Sequence, residues 1–318
     1  MKNIYSNIYK PTNNNLHKAK IILDKGDVVA VPTETVYGLA ANAYNSKAIK
    51  KIYALKKRPS NNPLIIHFKN IEDIKKEVVI NKNFQKLVKK FSPGPLTYIL
   101  KKKSNSKIVK IANNGLKTLA VRIPEEKNIL KLLSILKYPL AAPSANRSKS
   151  LSPTSPNHVF DEFGKNLKMI IDGGVCKIGV ESTVIDLTGN PKILREGGLS
   201  TDVIEKFLKI KFSNIKNKVI KSPGQIGLHY SPGIPIYMNR EQATMDGALI
   251  TFGSKKHNDR KTFNLSIKGN LKEAAKNFFN TLRIIKNKKF KTISVNKIPN
   301  INLGKAINER LKRAAYYE

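Results

Sequence analysis

Tryptophan is missing from this chain, cysteine occurs once, and 22 acidic residues stand against 59 basic ones. The lone Cys176 can close no internal disulfide, and without CxxC pairs there is no thiolate zinc site to build. The five histidines, His17, His67, His158, His229 and His257, never recur at the i, i+4 spacing of a zinc-protease helix. The GxxxxGK(S/T) phosphate loop, the GxSxG nucleophile elbow, HExxH, the kinase signatures and GxGxxG are also missing, which excludes the common templates for ATP hydrolysis, ester hydrolysis and dinucleotide binding. No run reaches the roughly 18 apolar residues of a membrane span. The opening "MKNIYSNIYKPTNNN" lacks the apolar stretch of a secretory signal, so a soluble cytoplasmic protein without membrane partners is expected.

At 318 residues the chain is long enough for two domains, each with its own core. A net charge of +37 attracts anionic substrates and phosphate polymers; the abundance of Lys, Asn and Ile is equally what AT-rich coding produces. Only nine of the basic residues are arginine. Because the guanidinium fork can hold a phosphate or carboxylate through two parallel hydrogen bonds, those few arginines carry more information than the lysines.

Apolar spacing at Leu16, Ala19, Ile22 and Leu23 predicts a helix over residues 13–25, ended by Gly26. "DVVAVP" reads as a buried strand, residues 46–57 as a helix, and "NPLIIHF" as a strand ending near His67. Between them "VPTETVYGLAANA" begins as a strand and then follows neither a helical nor a strand period. "FQKLVKKF" and "NILKLLSILK" are helical; "SPGPLTYILKKK", "TLAVRIP", "YPLAAPSAN", "MIIDGG", "VESTVIDLT" and "KILREGG" supply strands, and "STDVIEKFLK" closes with a capped helix. Residues 1–208 thus form a first domain, an α/β (α+β-like) unit with a twisted open mixed sheet flanked by helices. Residues 209–235, basic and then rich in Pro and Gly, read as a linker. Residues 236–318 run strand, helix, strand, helix, the order of a small Rossmann-like α/β domain.

Polar clusters sit at the strand ends, where open α/β sheets collect ligands: "PTETVYG", "KKRPSNNPLIIH", "SPGPLT", "TLAVRIP", "APSAN" with "SPT", "GVEST" and "LREGG". They gather guanidinium at Arg58, Arg122 and Arg195, ammonium at Lys56, hydroxyls at Thr35, Ser144, Ser152 and Ser182, and amides at Asn62 and Asn146. This is equipment for anions and a small polar molecule. With few candidates for base or nucleophile, catalysis rests on positioning and charge neutralisation, as in phosphoryl and nucleotidyl transfer. Local alternatives stay open: Lys56 and Arg58 end a helix, where cations complement the dipole; Thr33 and Thr35 suit an ST-type turn; Glu34 orients its neighbours; Tyr37 packs.

In order, "PTETVYGLAANA", "KKRPSNNPLIIH", "SPGPLT", "AAPSAN", "SPT", "DGG" and "GVEST" resemble the YrdC/Sua5 family, the L-threonylcarbamoyladenylate synthases. The two-domain layout with "HYSPGIPI" is similar to the longer Sua5 type, and the resemblance covers nearly the whole chain. It implies a YrdC-like first domain that converts L-threonine, bicarbonate and ATP to threonylcarbamoyl-AMP and pyrophosphate with Mg²⁺ assisting. That is the first step of N6-threonylcarbamoyladenosine (t6A) formation at position 37 of tRNA. Downstream threonylcarbamoyl-transferase machinery would take the product, and the basic surface would give tRNA a weak contact.

By the resemblance, Thr35, His67, Arg122, Ala142 and Ser182 hold the threonine, whose carboxylate would partner the buried Arg122. Lys56 and Arg58 are the catalytic cations, flexible enough to follow departing pyrophosphate. Arg58, Asn62, Thr118, Ser144, Asn146, Ser152, Arg195 and Tyr230 surround the nucleotide, with the metal held mainly through ATP phosphates. The linker around His229 and Tyr230 is the candidate lid over a labile carbamate. Two departures stand out: "SANRSK" puts Lys149 where the family often has glycine, stiffening that loop or adding a phosphate contact, and the second domain, at roughly 83 residues, is short. Two other function classes fit parts of the chain. A carbamoyltransferase related to hydrogenase maturation would need zinc-finger cysteines that are missing here; an RNA-binding module without catalysis fits the charge, but no RNA-recognition aromatic motif or GxxG clamp accompanies it.

Overall fold

The computed structural model describes residues 6–212, 229–254 and 259–315. Ten strands build the first sheet: β1 (Ile8–Tyr9), β2 (Val29–Val31), β3 (Gly38–Asn42), β4 (Ile65–His67), β5 (Leu96–Lys101), β6 (Thr118–Arg122), β7 (Leu140–Ala141), β8 (Ile170–Ile171), β9 (Thr183–Asp186) and β10 (Lys192–Arg195). Their spatial order is β1-β8-β2-β3-β7-β4-β6-β5-β9-β10. Parallel pairs such as β4 with β6 alternate with antiparallel ones such as β2 with β3, so the sheet is mixed and open, as the sequence predicts.

Seven helices accompany it: α1 (Asn13–Asp24), α2 (Ser46–Lys56), α3 (Ile71–Glu77), α4 (Lys82–Phe91), α5 (Lys127–Ile135), α6 (Pro156–Phe163) and α7 (Thr201–Leu208). Each start that matters here is capped: the Thr12 hydroxyl accepts from Asn15 N–H and the Asn45 amide oxygen from Ala48 N–H. Successive side chains of a strand point to opposite faces. Ala30 therefore joins the core beneath α2 and α4, while Val29 and Val31 join the core beneath α1 and α5. A sheet covered on both faces needs an unbroken apolar run, which is why "DVVAVP" shows no alternation.

The sequence reading missed β1, β3, α3 and α6. The stretch "GLAAN" returns to strand as β3, pairing antiparallel with β2 from Val31 opposite Gly38. Its small apolar residues are buried on both faces and so give no period of two. Residues 32–37 are consequently the loop of a hairpin.

The second sheet contains β11 (Ile236–Met238), β12 (Gly247–Thr251), β13 (Thr262–Asn264) and β14 (Thr292–Val295), ordered β11-β14-β12-β13 and parallel throughout, with α8 (Leu271–Asn287) and α9 (Leu303–Ala314). Two of these strands, β11 and β13, were missed by the sequence reading; each has only three residues and no unbroken buried run. Of the predicted linker, residues 213–228 lie outside the described residues. The core of this second unit also buries Val36, Leu151 and Val180 of the first, so the two pack directly. Among the described residues no helix is long and apolar enough to cross a membrane.

Candidate active site

The hairpin loop 32–37 is self-supporting. Thr33 Oγ1 accepts from the N–H groups of Thr35 (3.2 Å) and Val36 (3.2 Å) and donates to the Val36 carbonyl (2.6 Å), an ST-type turn. Since the Thr33 proton is committed, the 2.8 Å contact between the two threonine hydroxyls must be donated by Thr35. Thr35 Oγ1 then accepts from Arg122 Nη1 at 3.0 Å. Tyr37 packs in the core, and its hydroxyl pins the "DGG" turn, donating to the Gly174 carbonyl (2.8 Å) and accepting from Gly173 N–H (3.0 Å).

The parallel register of β4 and β6 sets His67 beside Arg122 at the strand ends. Arg122 is buried and braced through all three nitrogens: Nε donates to the Gly94 carbonyl (3.2 Å) and Nη2 to Glu34 Oε1 (2.6 Å), in addition to the Nη1 bond to Thr35. A carboxylate of the chain itself, Glu34, thus pairs with this guanidinium, a partner the sequence reading did not assign to it. Glu34, whose second oxygen accepts from Glu125 N–H (3.1 Å), orients this arginine. His67 is buried with Nδ1 unpartnered, and burial together with the charge on Arg122 pushes it down to about 3, so the ring is neutral at physiological pH.

Across the cavity a bulge in β10, where the register slips between Ile193 and Arg195, turns Arg195 toward Ser182. Its Nε and Nη2 donate to the Ser182 carbonyl (3.1 and 2.8 Å), and Nη2 also reaches Ser182 Oγ (3.1 Å). Next door Glu181 accepts from the Ser152 hydroxyl and from Arg310. Burial alone would raise Glu181, but Arg310 and Arg195 outweigh it and hold it at about 2.

Arg58 is braced by the carbonyls of Asn62 (3.1 Å) and Pro63 (3.1 Å) and faces the cavity; burial, then Arg195, lowers it to about 10. Lys56 requires a correction. It is not a flexible cation but a buried post, its Nζ donating to the carbonyls of Ser144 (2.6 Å) and Asn146, and it does not line the cavity. Burial, reinforced by Arg58, drives its pKa well below the usual lysine value. Thr118 lies at the opposite end of β6 from Arg122 and does not line the cavity. Lys149 adopts the left-handed conformation (φ 72°), which accounts for glycine being favoured there; its carbonyl accepts from Ser231 N–H (2.9 Å).

The cavity enclosed by these elements has a volume of about 40 Å³, room for a few waters. Thr35, Arg58, His67, Arg122, Ala142, Ser144, Ser182, Arg195 and Tyr230 line it; Lys56, Asn62, Thr118, Asn146 and Ser152 do not. His229 and Tyr230 close one side, their rings 4.1 Å apart, and burial lowers His229 to about 3. Four buried polar atoms around the site, Asn62 Oδ1, His67 Nδ1, Asn146 Oδ1 and His229 Nδ1, have no hydrogen-bond partner. Such orphans cost about 1–3 kcal/mol each unless a ligand or water satisfies them. Among the described residues no group of three or more His, Cys, Asp or Glu could hold a metal ion. Sequence reasoning missed Glu181 and Arg310; the first lay inside the quoted "GVEST", but nothing local distinguishes an arginine in "NERLKR".

Comparison with known proteins agrees with this geometry. The family model Sua5/YciO/YrdC, described as telomere recombination, matches residues 21–197, and a model described as the threonylcarbamoyl-AMP synthase C-terminal domain matches residues 199–316. Threonylcarbamoyl-AMP synthase of Pyrococcus abyssi is 37% identical over 317 residues, 92% of each chain, and that of Bacillus subtilis 40% identical over 225 residues, 69% of this chain and 65% of the relative. The crystal structure of P. abyssi Sua5 complexed with L-threonine superposes with a TM-score of 0.89 at 34% identity, covering 97% of both chains.

Proposed function

The chain belongs to the Sua5/YciO/YrdC family in its two-domain form, and from that premise we propose that it makes threonylcarbamoyl-AMP and pyrophosphate from L-threonine, bicarbonate and ATP, in the cytoplasm, for t6A formation in tRNA. The observation that carries this reading is the polar cavity in which Arg58, Arg122 and Arg195 converge beside the unpartnered nitrogen of His67. A free amino acid with three polar groups and a polyphosphate supply the partners that such a cavity lacks.

Threonine occupies the end formed by Thr35, His67, Arg122, Ala142 and Ser182. The Glu34 carboxylate keeps the Arg122 fork fixed, so the amino acid meets a preorganised donor, not a side chain that must reorient. His67, neutral, offers Nδ1 to the threonine amine or hydroxyl. The amine adds to CO₂ derived from bicarbonate to give a carbamate, and a carbamate oxygen attacks the α-phosphate in line, releasing pyrophosphate. Arg58 and Arg195 absorb the charge that develops on the phosphates. Lys56 serves from behind, holding the 144–146 loop that presents Ser144 and Asn146. Asn62, Thr118, Ser152 and Tyr230 complete the nucleotide contacts.

Among the described residues the carboxylate that lines the cavity, Glu181, is taken by Arg310, and Glu34 behind Arg122 is taken by that arginine. Mg²⁺ would therefore be held through the ATP phosphates and not by these carboxylates, and would supply charge neutralisation there. A cavity of about 40 Å³ admits no nucleotide, so His229 and Tyr230 lift as a lid for ATP to enter and close again over the labile carbamate. The threonylcarbamoyl-transferase machinery then takes the product, and the basic surface gives tRNA a weak contact.

The test is pyrophosphate release by the purified protein with ATP and Mg²⁺, with and without L-threonine and bicarbonate, the adenylate being followed by mass spectrometry. Release that requires both, and drops when Arg58 becomes Ala, supports the proposal. Release indifferent to threonine sinks it.

A further inference from the structure

Arg310 sits on α9 in the second unit with no exposed surface, yet it spends most of its guanidinium on the first unit. Nε and Nη2 donate to Glu181 Oε2 at 3.0 and 2.9 Å, and Nη1 donates to the Glu196 carbonyl at 2.5 Å. Within its own helix Nη1 also donates to the Ala306 carbonyl (3.2 Å) and lies 3.8 Å from Glu309 Oε2. Its Cζ also lies 5.4 Å from the centre of the Tyr230 ring, within cation–π range. The other Glu181 oxygen accepts the Ser152 proton.

Two side chains assigned to the nucleotide, Ser152 and Tyr230, are therefore both held, the first through Glu181, by one arginine that does not itself line the cavity. With its proton committed to an ionised Glu181, Ser152 has only lone pairs to turn toward a ligand. We propose that Arg310 is a positioning residue of the nucleotide subsite, contributed by the second domain: it fixes Glu181, hence Ser152, and supplies the surface on which the Tyr230 ring rests. The inference rests on the synthase reading above. It gives the C-terminal domain a direct part in ATP recognition beyond tethering a lid. The threonine end, braced by Glu34 and Arg122 within the first domain, does not depend on this arginine.

A purely structural arginine would weaken both substrates together as the domains loosen. A positioning arginine acts on ATP alone and acts through Ser152. The experiment measures ATP and L-threonine affinities separately, by calorimetry on the full-length protein, for wild type, Arg310→Met, Arg310→Lys, Ser152→Ala and the Arg310→Met/Ser152→Ala double variant. Arg310→Met should weaken ATP by about tenfold or more, the scale of one lost buried interaction, and change threonine by less than twofold. The double variant should bind ATP no worse than Arg310→Met alone.

Should Arg310→Met fail to fold, Arg310→Lys keeps the charge but loses the two-pronged contact, and it should still weaken ATP selectively. Equal weakening of both substrates, unchanged ATP affinity, or multiplying effects in the double variant would overturn the proposal. Threonine-dependent pyrophosphate release by the wild type is checked first: its absence removes the functional reading itself, whereas its presence beside an indifferent Arg310 variant removes only this inference.

Discussion

Glu34 and Arg122 form a buried ion pair at 2.6 Å, joining the hairpin loop between the second and third strands to the end of the sixth. Neither side chain has meaningful contact with water, so each is the other's neutralising partner. A buried charge stripped of its partner costs about 3–5 kcal/mol, whereas replacing both partners is often nearly neutral. Arg122→Met should therefore lose about 3–5 kcal/mol in a chemical-denaturation midpoint experiment, and Glu34→Gln/Arg122→Met should recover most of that. A double variant as unstable as the single would show that the pair is not what holds the loop.

Lys149 occupies the left-handed region at φ 72° with its side chain exposed. A non-glycine residue there costs about 1–2 kcal/mol, partly offset by the greater freedom glycine has in the unfolded chain. Lys149→Gly is expected to raise stability by roughly 0.5–1 kcal/mol, read from thermal unfolding. A loss of stability would mean that the lysine side chain makes a compensating contact.

Gly179 lies between the hairpin loop, where its N–H donates to the Thr35 carbonyl (3.2 Å), and the first long helix of the second domain. A Cβ on it would stand 2.5 Å from the Ala275 carbonyl oxygen and 2.5 Å from Lys276 Cα, at φ 85°. Backbone cannot yield as a flexible side chain does. Gly179→Ala should cost about 2–4 kcal/mol and prise the second domain away, making the protein as a whole more sensitive to limited proteolysis. Wild-type proteolytic resistance would refute this.

His67 and His229 are each held near 3 against an ordinary histidine value of 6.5. The unfolded chain takes up their protons below about 6.5 while the folded one refuses them until about 3, so stability is greatest above 6.5 and declines as pH falls through that window. Each contributes about 1 kcal/mol of loss per pH unit there. Glu181, held at about 2, adds its own loss only below 4.5. Melting temperature should thus begin to drop near pH 6.5, and His67→Asn should flatten part of that slope between pH 6.5 and 5; an unaltered slope would show that the ring is protonated within the fold.

The candidate site was legible because its chemistry is local. Thr35 in "PTETVYG", Arg58 in "KKRPSNNP", Arg122 in "AVRIP" and Ser182 in "GVEST" each lie on a short segment whose polar residues interrupt an apolar pattern, and polar interruptions at strand ends are where α/β sheets bind ligands. The start of the helix at Thr201 was equally readable, since its Ser200 cap acts within one turn, whereas the helices capped by Asn70 and Ser155 went unread. By contrast, β3 was hidden because Gly-Leu-Ala-Ala-Asn, buried on both faces, carries no alternation.

Tertiary structure alone decided which group satisfies which. Sequence did not show that Glu34 is the ion-pair partner of Arg122, which the fold makes it; sequence took Lys56 for a mobile cation, and the fold buries it against two carbonyls. Arg310 reaches Glu181 across 129 positions, a separation at which no spacing rule operates. By itself the sequence determined the periodicities, caps and clusters set by near neighbours along the chain. The pairing of buried charges depends instead on distances of a few ångströms between residues remote in sequence, and only the packed fold defines those distances.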